Sequence, residues 1–229
     1  VPRFSESLTM PEPRKFGAFD RDADLEVRQR DLPRWFQAGV AIFITFRTID
    51  SMPRDVVSGW HADIKRWLKE NGIQCDSERL PEANALPMRL RNEYSKVRDR
   101  GWQERLDECH GECVLKRTEC AKIVADALRH FDGDRYDLAS FIVMPNHVHL
   151  IAQFRRGFSL SRQSESWLRF SATRINRLSN RAGAFWQAEP FDHLIRSEAQ
   201  FWYLMNYIRD NPGNAGVKMD DIAYYNVFE

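Results

Sequence analysis

The chain reads as an α+β protein in which helices cover one face of an antiparallel sheet, with an N-terminal arm and a helical insertion added to that core. Three observations predict this. Runs of β-branched and aromatic residues at 41–47, 136–144 and 147–154 are separated by stretches whose apolar residues recur at helical spacing. The last two of those runs are joined only by Pro145-Asn146, a tight turn that antiparallel neighbours can make and parallel ones cannot. The apolar and aromatic fractions, 43% and 12% of 229 residues, are enough for a sizeable core and exclude disorder, a collagen-like chain and a simple coiled coil.

Residues 1–38 are polar and rich in Pro, Arg and Asp, without a sustained period, and read as an extended arm along the surface. Gly39 bounds the first strand, 41–47. Pro53 opens a helix that carries Val56, Val57, Trp60, Ile64, Trp67 and Leu68 on one face and ends at Gly72. Residues 73–116 are charged, contain Pro81 and Pro87, and read as an insertion holding a short helix near 89–105. A helix over 118–131 follows, with Ala121, Ile123, Val124, Ala127 and Leu128 as its apolar face. The strands at 136–144 and 147–154 are almost continuously apolar, so both are expected in the middle of the sheet. A helix over 159–180 and an extended stretch at 185–196 come next. The last helix begins at a capping box, Ser197 as cap with Gln200 reaching back, and Asn211-Pro212-Gly213 is expected to stop it. The main domain is therefore 39–218, with the insertion at about 73–116 and a tail at 219–229.

The 34 Lys and Arg balance 33 Asp and Glu, so global charge points to no partner. No apolar run is long enough to span a bilayer, and the charged, Pro-containing opening does not read as a signal peptide; no membrane partner is expected. The four cysteines are few and irregular; Cys109-His110-Gly111-Glu112-Cys113 followed by Cys120 invites a zinc reading, but the spacing is not that of a paired knuckle and reduced cytosolic thiols explain it more simply.

Three constellations carry chemistry. His147 and His149 stand two apart in a strand, so their imidazoles project from one face and can share a divalent cation. The plainer reading is two core or surface histidines. Tyr207 and Asn211 are neighbours at i, i+4 on the border of the last helix's Phe201, Leu204, Met205 and Ile208 stripe, whereas Tyr203 lies nearly opposite it. The plainer reading is a boundary tyrosine beside an Asn cap. Finally, the segment 155–181 holds seven Arg (155, 156, 162, 169, 174, 177, 181), no Lys and one acid, Glu165, a footprint suited to a phosphate backbone. Trp167, Phe170, Phe185 and Trp186 lie among or beside them and can stack on unpaired bases. The plainer reading is a solvated helix face with its aromatics in the core.

Met144-Pro145-Asn146-His147-Val148-His149-Leu150-Ile151 resembles the HUH motif of the single-tyrosine transposases. Phe185-Trp186-Gln187-Ala188-Glu189-Pro190-Phe191-Asp192-His193-Leu194-Ile195-Arg196, followed by Tyr207-Ile208-Arg209-Asp210-Asn211-Pro212, looks like the REP-associated tyrosine transposase branch. Leu32-Pro33-Arg34-Trp35 and Phe43-Ile44-Thr45-Phe46-Arg47 are similar to it too. The resemblance spans most of 30–218, with 73–105 outside it, and its specificity lies in the ordered combination. It implies a ferredoxin-like or RRM-like sheet bearing the histidine strand, His147 and His149 as metal ligands, and Tyr207 as nucleophile from a C-terminal helix. Asn211 falls where many relatives carry Gln as third ligand. Arg155, Arg156, Arg162, Arg169, Arg174, Arg177 and Arg196 are the expected DNA contacts.

The activity implied is cleavage and rejoining of single-stranded DNA, folded as a REP-like hairpin, through a 5′-phosphotyrosine bond. The cofactor is a divalent ion, Mg²⁺ or Mn²⁺; imidazoles favour Mn²⁺ and cellular abundance favours Mg²⁺. The location expected is cytoplasmic, with the nucleoid, and no obligate protein partner is evident. Two other readings compete: an RRM-like single-stranded nucleic-acid binder without catalysis, and a phosphoesterase that activates water and has no use for Tyr207.

Overall fold

The computed structural model describes residues 15–17, 19, 26–28, 34–218 and 222–229. Most of the expected arm, and residues 219–221 of the tail, lie outside these. Within the arm, β1 (Glu26–Arg28) and β2 (Arg34–Phe36) form a small antiparallel pair. Gly17 bridges Val40, and Phe16 stacks on Phe201 at 5.3 Å, so the described part of the arm lies against the domain.

The main sheet contains β3 (Ala41–Arg47), β4 (Tyr136–Val143), β5 (His147–Phe154), β6 (Phe191–Leu194) and β7 (Ala223–Asn226) in the antiparallel order β6-β3-β5-β4-β7. Between them run α1 (Arg54–Glu70), α2 (Met88–Asp107), α3 (Thr118–Arg129), α4 (Leu160–Leu178) and α5 (Glu198–Asn214). With α1 and α2 set aside, β3-α3-β4-β5-α4-β6 in the order β6-β3-β5-β4 is the ferredoxin-like arrangement. As expected, β4 and β5 are interior strands. The expected C-terminal tail instead supplies β7, pairing Ala223–Asn226 with the outer edge of β4.

Strand alternation divides the sheet into two faces. Ile42, Ile44 and Phe46 of β3 and Val148, Leu150 and Ala152 of β5 pack with α3 and α4 through Val124, Leu128, Trp167 and Ile175. Ala41, Phe43 and Ile151 face the other way, against Phe201, Leu204, Met205 and Ile208 of α5. Helices on a single face thus describe α3 and α4, while α5 packs on the opposite side. The physical reason is that these strands are apolar on both faces, and each face must be covered. In β4 a bulge between Leu138 and Ser140 resets the alternation, so Tyr136 and Leu138 share a face with Phe141 and Val143.

Ser197 Oγ accepts the Gln200 N–H at 3.2 Å, while Gln200 Oε1 accepts the N–H of Arg196, one residue before the cap, at 2.8 Å. The helix does not stop at Asn211: it runs through Pro212 to Asn214. A proline near the last turn removes a single donor, and the end is closed instead by the Val217 N–H on the Pro212 carbonyl at 2.8 Å.

The insertion contributes α2, which packs on α1 as a helix pair. Ile64 and Leu68 of α1 meet Tyr94 of α2 and Leu86 in a small core of their own. The second helix is longer than expected, continuing to Asp107. Its exit is clamped to the β4–β5 turn: Asn146 Nδ2 donates to the His110 carbonyl at 3.0 Å and the Leu115 N–H to the Pro145 carbonyl at 3.1 Å. Gly111 (φ +87°) sits in this clamp, and a Cβ there would lie 2.7 Å from Asp50. No helix among the described residues is long and apolar enough to cross a membrane.

Candidate active site

His147 and His149 project from β5 onto the α5 side of the sheet, and both are fully buried, with ring centroids 4.6 Å apart. Their second nitrogens are held from outside the pair. Asn146 Oδ1 lies 2.8 Å from His147 Nδ1, and since that oxygen only accepts, Nδ1 carries the proton and Nε2 a lone pair. Thr45, the register partner of His149 on β3, places Oγ1 2.7 Å from His149 Nδ1. The Gln103 amide nitrogen is 3.2 Å from His149 Nε2 and can only donate, so this ring too turns a lone pair inward. Burial holds both rings neutral, His149 down to about 3 and His147 well below its ordinary value, with His149 adding to the latter.

Asp107, the last residue of α2, closes one side. Its Oδ1 is 3.6 Å from His147 Nε2, and Asp107, His147 and His149 bring ligand atoms within 4.8 Å of one another, the one such group among the described residues. Gln103 Nε2 and Asn211 Nδ2 donate to Asp107 Oδ1 at 3.1 and 3.4 Å. Burial raises its acid from 3.8 to about 6. Asp107 is the residue that sequence reasoning missed. It lies at the edge of the segment outside the family resemblance, and its only local signal is an i, i+4 pairing with Gln103.

From α5, the Tyr207 hydroxyl stands 3.4 Å from His149 Nε2 and accepts the Asn211 Nδ2 hydrogen at 3.2 Å. Its phenol is pushed above its ordinary value of 10, first by burial and then by the Asp107 charge. Tyr203, 68% exposed, faces solvent as expected, on the wall of a cleft that also reaches Tyr207. Two buried polar atoms here, His147 Nε2 and Asn211 Oδ1, have no hydrogen-bond partner within the protein. Orphaned lone pairs cost free energy unless something electropositive meets them. Two neutral imidazoles, a carboxylate and an amide oxygen form a donor set that a divalent ion such as Mn²⁺ or Mg²⁺ satisfies, so these residues fit the expected cofactor.

The arginines are elsewhere. Arg155, Arg156, Arg162, Arg169, Arg174 and Arg177 are exposed along α4 and the loop before it, across the sheet from Tyr207. Arg155 is bound to Asp137 by two hydrogen bonds at 2.7 and 3.2 Å, and Arg174 lies over Phe170. Arg196, also exposed, precedes α5. Of the four aromatics expected to stack on bases, Trp167, Phe185 and Trp186 are core residues. Trp167 Nε1 donates to the Tyr136 hydroxyl and Trp186 Nε1 to Ser171 Oγ, partners that draw both indoles inward. Only Phe170, 44% exposed, stays at the surface. In the Cys109–Cys113 loop, the Cys113 thiol donates to the Cys109 carbonyl, His110 pairs with Glu108, and the four cysteines are free thiols.

Neither a protein-family profile nor a curated protein matches the chain. Solved structures similar to it include two transposases. One is a REP-associated tyrosine transposase bound to a REP hairpin, at 14% identity and a TM-score of 0.40, covering 82% of this chain and 75% of that one. The other is a provisionally assigned transposase from Deinococcus radiodurans R1, at 12% identity and a TM-score of 0.27, covering 75% of this chain and 90% of that one. The first is a member of the family that the motifs resemble.

Proposed function

We propose that this protein cleaves and rejoins single-stranded DNA through a covalent bond to Tyr207, with His147, His149, Asp107 and Asn211 holding a divalent ion. The observation that carries the reading is convergence: one hydroxyl, two inward imidazole lone pairs, a carboxylate and an orphaned amide oxygen meet in one buried site.

Each residue has a defined task. Asn146 and Gln103 fix the tautomers, with Thr45 meeting the outer nitrogen of His149, so that both Nε2 atoms present lone pairs. Asn211 holds the Tyr207 hydroxyl in place through Nδ2. Tyr207 Oη, having released its proton to water, attacks phosphorus. The bond from phosphorus to the 3′ oxygen breaks, that oxygen takes a proton from water, and the 5′ phosphate stays on Oη. The phosphoester is conserved, so attack by another 3′ hydroxyl reverses the step and joins a new end. The ion, when bound, polarises a non-bridging oxygen and supplies the positive charge that favours phenolate over phenol.

The motif resemblance supports a REP-like hairpin as substrate and a place with the nucleoid in the cytoplasm. The α4 arginines are the proposed contacts to the hairpin backbone, and the unit doing this is the domain 39–218 extended through β7. An RRM-like binder reads unpaired bases on an open sheet face; here α3 and α4 cover one face and α5 the other. The test is a denaturing gel of protein with labelled hairpin DNA carrying single-stranded flanks, plus Mn²⁺. A covalent band that disappears in Tyr207→Phe is expected. Cleavage without a band would replace this mechanism with water activation.

A further inference from the structure

A cleft of about 1880 Å³ opens between the insertion and the sheet edge, and Tyr207 and Asp107 form part of its wall. Small-molecule pockets run to roughly 1,000 Å³, so a longer ligand suits this one. Trp102 of α2, Arg47 of β3 and the half-exposed Phe191 of β6 are among the residues that line it.

Arg47 is the informative residue. It is the register partner of His147, so its side chain leaves β3 on the same face as the two histidines. Its guanidinium carbon sits 5.2 Å from the Trp102 ring centre, and Nη1 donates to Ser51 Oγ at 3.1 Å. Among the described residues no carboxylate pairs with it, and burial lowers its pKa. A half-buried cation without a counter-charge is costly, and arginine keeps its charge regardless. Placed over an indole, the fork keeps free donors of the geometry that grips phosphate. Trp102 is itself braced by Trp60 at 4.9 Å. At the rim, Phe191 is half exposed, a platform of the kind that unpaired bases use. The cleft also contains acids, but Asp99 and Glu104 are tied to Arg98 and Arg100 at 3.1 and 2.7 Å. Glu82, Asp107, Glu108 and Glu189 also line the cleft, as do Arg79 and Lys96, so net charge does not recruit the ligand here; Arg47 over Trp102, on the strand beside the histidines, and the aromatic faces do.

We propose that this cleft holds the single-stranded segment of DNA that crosses Tyr207, with Arg47 on Trp102 binding a backbone phosphate and Phe191 stacking on a base. The inference rests on the DNA-cleavage reading for its ligand and assigns the insertion a role in binding. The hairpin and the single strand then lie on different sides of the sheet, α4 serving one and the α2 cleft the other.

The test uses fluorescein-labelled oligothymidylate, which cannot form a hairpin, and anisotropy on the full chain carrying Tyr207→Phe to prevent turnover. Adding Arg47→Gln, Trp102→Leu or Phe191→Ala should each weaken binding about five- to a hundredfold, the span of a lost stacking or phosphate contact. Phe191 is a rim residue, so its replacement keeps the test valid if Trp102→Leu fails to fold. Arg47→Gln should also make the salt dependence shallower by ~0.7, and Arg47→Lys should restore that slope without restoring full affinity. Affinities within about twofold of the parent for both Arg47→Gln and Phe191→Ala would overturn the cleft assignment. If the protein with Tyr207 intact still forms its covalent adduct in that case, the proposed function stands without the cleft. Weakened binding in the variants with no adduct from the intact protein would keep the cleft and remove the nicking reaction.

Discussion

Asp107→Asn is the perturbation with the most to say about the site. The carboxylate lies beside two buried neutral histidines, its side chain is 15% exposed, and burial raises its acid from 3.8 to about 6. Keeping it ionised in the metal-free fold therefore costs about 3 kcal/mol. The sign follows from the direction. A carboxyl whose folded value is raised favours the fold at pH below its unfolded value, and that advantage is lost as pH rises through about 6. Asparagine keeps an oxygen to accept from Gln103 and Asn211 and removes the charge. At pH 8 in chelator, Asp107→Asn should melt higher than the parent by roughly 5–10 °C, and the two should converge at pH below about 4. Saturating Mn²⁺ should invert the order: an ion at about a thousand times its dissociation constant adds about 4.1 kcal/mol to the parent, more than the ionisation cost, and the variant should lose most of that gain. Thermal melts read by circular dichroism, with and without chelator, decide it. Equal melting of the two proteins in chelator at pH 8, or full Mn²⁺ stabilisation of the variant, would refute the reasoning.

Three further outcomes are expected. Tyr207→Phe removes the hydroxyl and keeps the ring against Phe43, so fold and DNA affinity should survive while adduct and strand transfer vanish; mass spectrometry should place the nucleotide of the intact protein on Tyr207, and finding it on exposed Tyr203 would move the nucleophile. His147→Ala or His149→Ala should abolish cleavage and the Mn²⁺-dependent rise in melting temperature while leaving hairpin binding largely intact; full cleavage by either variant would end its role as a ligand. Arg169→Gln and Arg174→Gln should each flatten the salt dependence of hairpin binding by ~0.9, the value per contact for a duplex stem, and an unchanged slope for every arginine on α4 would make them a solvated face.

Some of this site is legible residue by residue. His147 and His149 share a face because strand side chains alternate, a rule internal to β5. Tyr207 and Asn211 meet because they are one helical turn apart, and Ser197 marks where that helix begins. The prolines and glycines likewise set the ends of α1 and the β4–β5 turn. Where a local signal failed, a neighbouring element outweighed it: Pro212 does not end α5 because Val217 closes the turn beyond it. Trp167 and Trp186 are not base platforms because Tyr136 and Ser171 offer them buried acceptors.

The sequence alone determined which residues sit in register on β5 and α5, since the 2.0 and 3.6 periods of strand and helix are carried by a handful of adjacent residues. It could not determine which sheet face α5 would cover, because apolar strands such as β3 and β5 accept a partner on either side. Nor could it bring in Asp107 or set Trp102 over Arg47. Those juxtapositions depend on where the α1–α2 pair docks, which is decided by its own small core and by the clamp at Asn146 and Asp50. Contacts between segments distant in the chain carry no period, and only the packed tertiary structure decides them.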